Sequence, residues 1–344
     1  MRPVRDGWLR VARIAWLVLL AVLLTRVLVD DRAAVAHLAR VERPWLLAAA
    51  LGCGFLQLAV NAAFWVRALA AAGEHVPWRT ALEVTARSVP ARYVPGSVWY
   101  AMSRAAMLRA AGAGLGALAV AAVLESLLTV VVSLGLGGAI LGLAGRLPGD
   151  ELTAVAWVVV LVVASAPPVL NRTLAWLARR RGTVAPALRW RDHGALVAWM
   201  VAFWTLSAVT FTLYLQAFAA ALPDPAVIAG TFLVAWTIGF LTPIAPQGAG
   251  AFEVTFVALL VGSGGAPLAV IVAAYRALMG VRDAVAFAWG AWRGRGAAVS
   301  RPSSPAESSR QPARRRRRAV RRGSARTGDG PGPRACGGTA RDRR

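Results

Sequence analysis

Glu125 demands a chemical reason, because it stands inside a run, 116–142, built almost wholly of Ala, Val, Leu and Gly. It lies nine residues in, about 14 Å along a helix at 1.5 Å per residue. An ionisable group held that deep in a bilayer costs at least roughly 2.5 to 3.5 kcal/mol unless it is paired or engaged. Thr129 and Ser133 follow at successive i+4 positions, so the three form one polar stripe, which should face the interior of a helix bundle. Glu253 is the second acid in apolar surroundings, and Arg92, Arg104 and Arg276 are the nearest candidates to neutralise either one. An arginine fork suits a phosphate through paired hydrogen bonds, and a carboxylate can hold an amino headgroup or a proton. The bland alternative is a buried ion pair that only fixes helix register. Gln57 and Asn61, one turn apart, add a smaller polar patch.

Glu253 adjoins a break in the chain, and Glu125 stands in the apolar run that follows another. The first break reads Ala91-Arg92-Tyr93-Val94-Pro95-Gly96-Ser97-Val98-Trp99-Tyr100, with Arg104 and Arg109 following. The second reads Thr242-Pro243-Ile244-Ala245-Pro246-Gln247-Gly248-Ala249-Gly250-Ala251-Phe252-Glu253. Proline and glycine free backbone groups there, which is tolerated at membrane depth only against protein or a wet cavity.

These breaks must be positioned by longer elements, and the composition says which. Of 344 residues, 58% are apolar and 16% charged, and the mean hydropathy is +0.56, the balance of a membrane protein. Apolar blocks at 11–29, 45–68, 116–142, 152–170, 195–217 and 267–289 have the length that carries a helix across a core about 30 Å thick. The expected fold is an all-α polytopic membrane protein with about six full spans. Segments 80–112 and 226–262, each interrupted by Pro and Gly, read as two re-entrant hairpins. Helix, hairpin, helix would then occur twice, as an inverted repeat; the alternative is about eight spans without symmetry. The basic N-terminus is expected to precede an uncleaved first helix, since Arg26 interrupts the apolar run.

Arginine clusters before the first helix, in a loop at 172–191 and after Trp292 put both termini in the cytoplasm by the positive-inside rule. Trp45, Trp65 and Trp289 read as interfacial anchors, and Arg67, Arg87 and Arg109 as side chains that snorkel to the interface. Residues 1–292 form the expected membrane domain. From 293 to 344 the chain has 16 arginines against Glu307, Asp329 and Asp342 and almost no large apolar residue, the composition of a solvated, disordered tail. Neither a nucleic-acid partner nor a cofactor is expected: there is no Walker loop, and His37, His75 and His193 have no ligands at metal spacing. Cys53 and Cys336 do not make a disulfide framework.

The run Arg92 to Trp99 with Arg104, then Glu125, then Pro243 to Glu253, resembles the lysylphosphatidylglycerol synthase transmembrane (flippase-like) family over roughly 11–292. That resemblance implies movement of aminoacylated phospholipid, or of another lipid-linked headgroup, between leaflets. It implies no synthase activity here, because the tail is too short and polar to be the soluble aminoacyl-transferase domain. The candidate substrate-binding residues are Arg92, Pro95, Gly96, Arg104, Glu125, Thr129, Pro243, Pro246, Gly248, Gly250, Glu253 and Arg276. The expected partners are membrane lipids with an anionic or lipid-linked headgroup, with a lipid-modifying enzyme as a further candidate. The rival reading is a membrane enzyme, or an accessory subunit of a glycosyl- or acyl-transferase, with Glu125 and Glu253 as acid and base.

Overall fold

The computed structural model describes residues 32–93, 98–146, 166–180, 187–218, 222–242, 248–260 and 266–299, with isolated positions between 22 and 29 and between 155 and 162. Most of the blocks at 11–29 and 152–170 therefore lies outside the described residues, as does the tail beyond 299. The helices pack into one unit that ends at Arg295.

The described residues are helical, with one isolated bridge between Val41 and Phe218 and no strand. In chain order the helices are α1 (Arg32–Leu38), α2 (Pro44–Ala71), α3 (Trp78–Ser88), α4 (Val98–Ala110), α5 (Leu115–Leu143), α6 (Pro167–Arg180), α7 (Trp190–Gln216), α8 (Pro225–Leu241), α9 (Ala251–Leu260) and α10 (Ala266–Val299). A 3-10 turn, Val89–Tyr93, leads out of α3. Helices α2, α5 and α7 are long and apolar enough to cross a membrane. Helix α10 is longer but carries Arg276, Arg282 and Asp283.

The order of elements repeats. Long α2 is followed by short α3 and α4 and then long α5; long α7 is followed by short α8 and α9 and then long α10. Helix α9 has ten residues, about 15 Å at the helical rise, half of a hydrocarbon core about 30 Å thick.

Local chemistry sets the ends. Helix α2 closes at Gly73, φ +85°, where Glu74 N–H reaches Leu69 O and Gly73 N–H reaches Ala70 O. This is the paired C-terminal pattern that calls for a residue able to take positive φ. Gly112 closes α4 in the same way. Glu74 then accepts from Gly114 N–H at 3.2 Å, tying the end of α2 to the start of α5. Asn61 and Glu125 each lie ten residues from that shared end, about 15 Å, so the tie brings them to the same depth.

The core is aromatic where α7, α8, α9 and α10 meet. Phe211 stacks on Phe232 with ring centroids 4.6 Å apart and meets Phe256 at 5.0 Å, Tyr275 at 4.9 Å and Phe252 at 5.7 Å edge-on. Such pairs add about 0.5 to 1.5 kcal/mol each beyond burial. On the other side α5 and α8 approach closely at glycines: a Cβ on Gly137 would stand 2.9 Å from Leu233 Cβ, and one on Gly230 would stand 2.9 Å from Leu141 Cγ. Small residues let backbones meet where lipid offers no hydrophobic drive between helices.

The stretch 172–191, expected as a loop, contains most of α6. Proline at its first position is pre-set for a helix start, and Leu170 and Leu174, four apart, are buried while Arg179 and Arg180 are exposed. Helix α10 likewise continues seven residues past the expected domain limit at 292.

Candidate functional site

The first charged cluster joins α2, α4 and α5. Arg104 Nη1 donates to Glu125 Oε1 at 2.9 Å, and Asn61 Nδ2 donates to the same oxygen at 2.8 Å. The Arg104 side chain is 1% exposed and that of Glu125 14%. The guanidinium sits over the rings of Tyr100, 4.3 Å from its centroid, and Trp65, 4.8 Å away. It also donates to the Tyr100 hydroxyl. Arg92 engages the same ring, 4.1 Å from the Tyr100 centroid, with Nη2 donating to the hydroxyl at 2.6 Å. Two arginines therefore share one tyrosine, and one carboxylate faces them.

The second cluster joins α9 and α10. Arg276 Nε donates to Glu253 Oε1 at 2.7 Å, while Glu253 Oε2 accepts from Gly250 N–H at 2.6 Å. Glu253 is the third residue of α9, and a glutamate there reaches back to the residue before the helix and satisfies an orphan N–H. The turn before it is close-packed. Gly248, φ +67°, lies against Gly239, and a Cβ on it would collide with the Gly239 backbone. Only glycine fits that approach and that φ together.

The two clusters are built alike with the charges exchanged. In the first, the second short helix supplies the arginine and the next long helix the acid; in the second, the short helix supplies the acid and the long helix the arginine. Helix α5 carries a polar stripe away from the first of them. It passes from Glu125 through Thr129, whose hydroxyl donates to Met200 Sδ at 3.7 Å, to Ser133, whose hydroxyl meets that of Thr237 at 2.5 Å. Thr237 is two residues before Gly239, the glycine that receives the turn.

A third network centres on Arg282 and Asp283, which sequence spacing did not single out. They are 4% and 5% exposed and pair at 2.5 Å. Arg282 Nη1 donates to Gln57 Oε1 at 2.6 Å, and Gln57 donates to Ser207. Tyr93 donates to Asp283 Oδ2 at 2.9 Å. The signal was present: two adjacent opposite charges inside an apolar block are costly unless buried together. Gln57 and Asn61 thus serve different networks from α2, and neighbouring Arg92 and Tyr93 are likewise divided.

Of the candidate site residues, Arg104 and Glu125 meet each other, as do Glu253, Gly250 and Arg276. Thr129 lies on the α5 stripe, Gly248 packs the turn, and Arg92 joins Arg104 through Tyr100 and not through an acid. Pro95, Gly96, Pro243 and Pro246 lie outside the described residues. One sequence assignment needs correction: Trp65 is fully buried and stacks on Arg104 instead of anchoring at an interface, in a helix that continues six residues beyond it. Arg67, one-third exposed near the end of α2, pairs with Asp192 at 2.9 Å in the first turn of α7.

No curated protein gives a match. The family described as "Lysylphosphatidylglycerol synthase TM region" matches residues 8–282, a span that holds both exchanged charge pairs and the turn between α8 and α9. The chain belongs to that family, a family of membrane proteins tied to lipid handling.

Proposed function

We propose that this protein is a lipid flippase, or lipid-handling transporter, that carries a phospholipid or lipid-linked headgroup between leaflets while the acyl chains stay in the bilayer. The observation that carries the reading is the exchanged ion pair, Arg104 with Glu125 and Glu253 with Arg276, each with one fully buried member and each on a short helix and the long helix that follows. Paired interrupted segments in two inverted halves are the best pointer to a translocation site at mid-membrane. In this reading α3 with α4, and α8 with α9, are the two re-entrant hairpins, and the halves are an inverted repeat. The short α9 supports it, since about 15 Å of helix is too little for a full span. The polar stripe of α5, about 12 Å from Glu125 to Ser133, supplies a track along which a headgroup avoids hydrocarbon. Both termini face the cytoplasm in this arrangement.

The test is movement without chemical change. The full chain is reconstituted in vesicles holding a trace of headgroup-labelled fluorescent phospholipid, and a membrane-impermeant quencher reports the fraction in the outer leaflet. Transport predicts that protein-containing vesicles lose nearly all fluorescence, against about half in protein-free vesicles. Loss of only the outer half with protein present contradicts the proposal.

A further inference from the structure

We infer that the cluster of Arg92, Tyr100, Arg104, Asn61 and Glu125 is a selective site for the phosphodiester of a monoanionic phospholipid, and that it discriminates against a net cationic, aminoacylated headgroup. The inference rests on the lipid-handling reading above and names the ligand class of its first cluster.

Charge does not balance within the cluster. Two guanidinium groups face one carboxylate: Arg104 pairs with Glu125, whereas Arg92 has no acid within salt-bridge distance among the described residues. The neighbouring residues Val94 to Ser97 bring no carboxylate. The cluster therefore carries one excess positive charge, and both cations donate to a single hydroxyl, that of Tyr100. Stacking on aromatic rings eases this only in part. Arg92 is half-buried, and an excess charge held partly out of water favours a counter-ion.

Hydrogen bonding points the same way. Arg104 is fully buried, yet its Nε has no hydrogen-bond partner among the described residues. Asn61, also buried, leaves Oδ1 without one while its Nδ2 holds Glu125. Buried polar atoms are rarely left so without a purpose. The unmet set is one charged donor and one neutral acceptor on the side chains that hold Glu125, with the buried Trp65 Nε1–H beside Arg104 as a further, neutral donor. A phosphate oxygen answers the donor, in the geometry guanidinium groups favour. A hydroxyl elsewhere in the headgroup answers the acceptor. A single negative charge brings the cluster to neutrality, whereas a headgroup with net positive charge increases the excess.

The experiment measures binding apart from transport. The detergent-solubilised full chain is titrated with short-chain phosphatidylglycerol, phosphatidylethanolamine, lysylphosphatidylglycerol and inorganic phosphate, with thermal stabilisation as the readout. The expected result is phosphatidylglycerol binding at least about tenfold tighter than the zwitterionic or aminoacylated lipid, the scale of one charge-assisted hydrogen bond. Arg92→Gln is expected to lose about that factor for phosphatidylglycerol alone, and Arg92→Lys to recover part of it. Arg109→Gln, which removes an equal charge from the exposed side of α4, should change nothing. Equal or tighter binding of lysylphosphatidylglycerol, or an Arg92→Gln protein with unaltered selectivity, overturns the inference. Inorganic phosphate binding as tightly as the lipid overturns it too, by making the site one for a free anion. Selective binding in a protein that moves no lipid upholds this inference and sinks the transport reading. Unselective binding in a protein that does move lipid sinks this inference and leaves the transport reading standing.

Discussion

Replacing Glu125 by Gln keeps the side chain's shape and removes its charge, and the structure sets the cost. The stranded partner, Arg104, is 1% exposed and pairs with no other acid among the described residues. Removing one member of a buried pair costs about 3 to 5 kcal/mol, because the remaining charge stays desolvated. Glu253→Gln strands Arg276, which is 29% exposed, so its environment takes over part of the solvation. The one acceptor oxygen of Gln serves either Gly250 N–H or Arg276 Nε but not both, so a single hydrogen bond is lost with the charge, and the sum is about 1 to 3 kcal/mol. At about 1.4 °C per kcal/mol for a chain of 344 residues, Glu125→Gln lowers Tm by roughly 4 to 7 °C, and Glu253→Gln by clearly less. Thermal unfolding of the purified variants in lipid nanodiscs checks the order. Glu125→Gln with an unchanged Tm, or a larger loss for Glu253→Gln, refutes the dependence on burial. The double variant Arg104→Met with Glu125→Gln removes both charges, and stability should return to within about 1.5 kcal/mol of the parent, as for an apolar replacement of a buried pair. Lipid movement is expected not to return. A double variant that regains both shows the pair to be structural only, and the site assignment then falls.

Further outcomes concern the turn and the orientation. Gly248→Ala forces a Cβ against the Gly239 backbone at positive φ, and about 3 kcal/mol of destabilisation is expected from the combined strain and overpacking; an unchanged Tm contradicts that geometry. A cysteine at Gln247 should label slowly from either side of the membrane if α8 and α9 form a re-entrant hairpin, whereas fast labelling from the cytoplasmic side alone means two full spans. Cys336 should resist membrane-impermeant thiol reagents in intact cells and react once the membrane is opened; labelling in intact cells reverses the orientation.

The helical class and the breaks were legible because apolar block length and Pro/Gly interruptions are local properties of the chain. Pairing was only partly so. Glu125 and Glu253 were readable as costly, and three arginines as candidate partners, but choosing among them requires the rotation of each helix about its axis. The polar stripe of α5 gives that helix's inward face but not which neighbouring helix it meets there. Trp65 was misread for a related reason. Its place near the end of an apolar block suggested an interface, while α2 in fact extends to Ala71 and turns Trp65 onto Arg104. Arg282 and Asp283 are adjacent in sequence and cancel in any average over the block, which hid the most buried ion pair among the described residues.

The claim that a headgroup is handled among these buried charges is tested most directly by mapping where a lipid headgroup touches the protein. A phospholipid with a photoreactive headgroup is reconstituted with the full chain, cross-linked, and the adducts are located by peptide mass spectrometry. Adducts are expected on the α4 and α5 peptides that hold Tyr100, Arg104 and Glu125, and they should fade when unlabelled phosphatidylglycerol is added in excess. Adducts confined to helix ends such as Trp45 and Trp190, with none at Tyr100 or Glu125, contradict it.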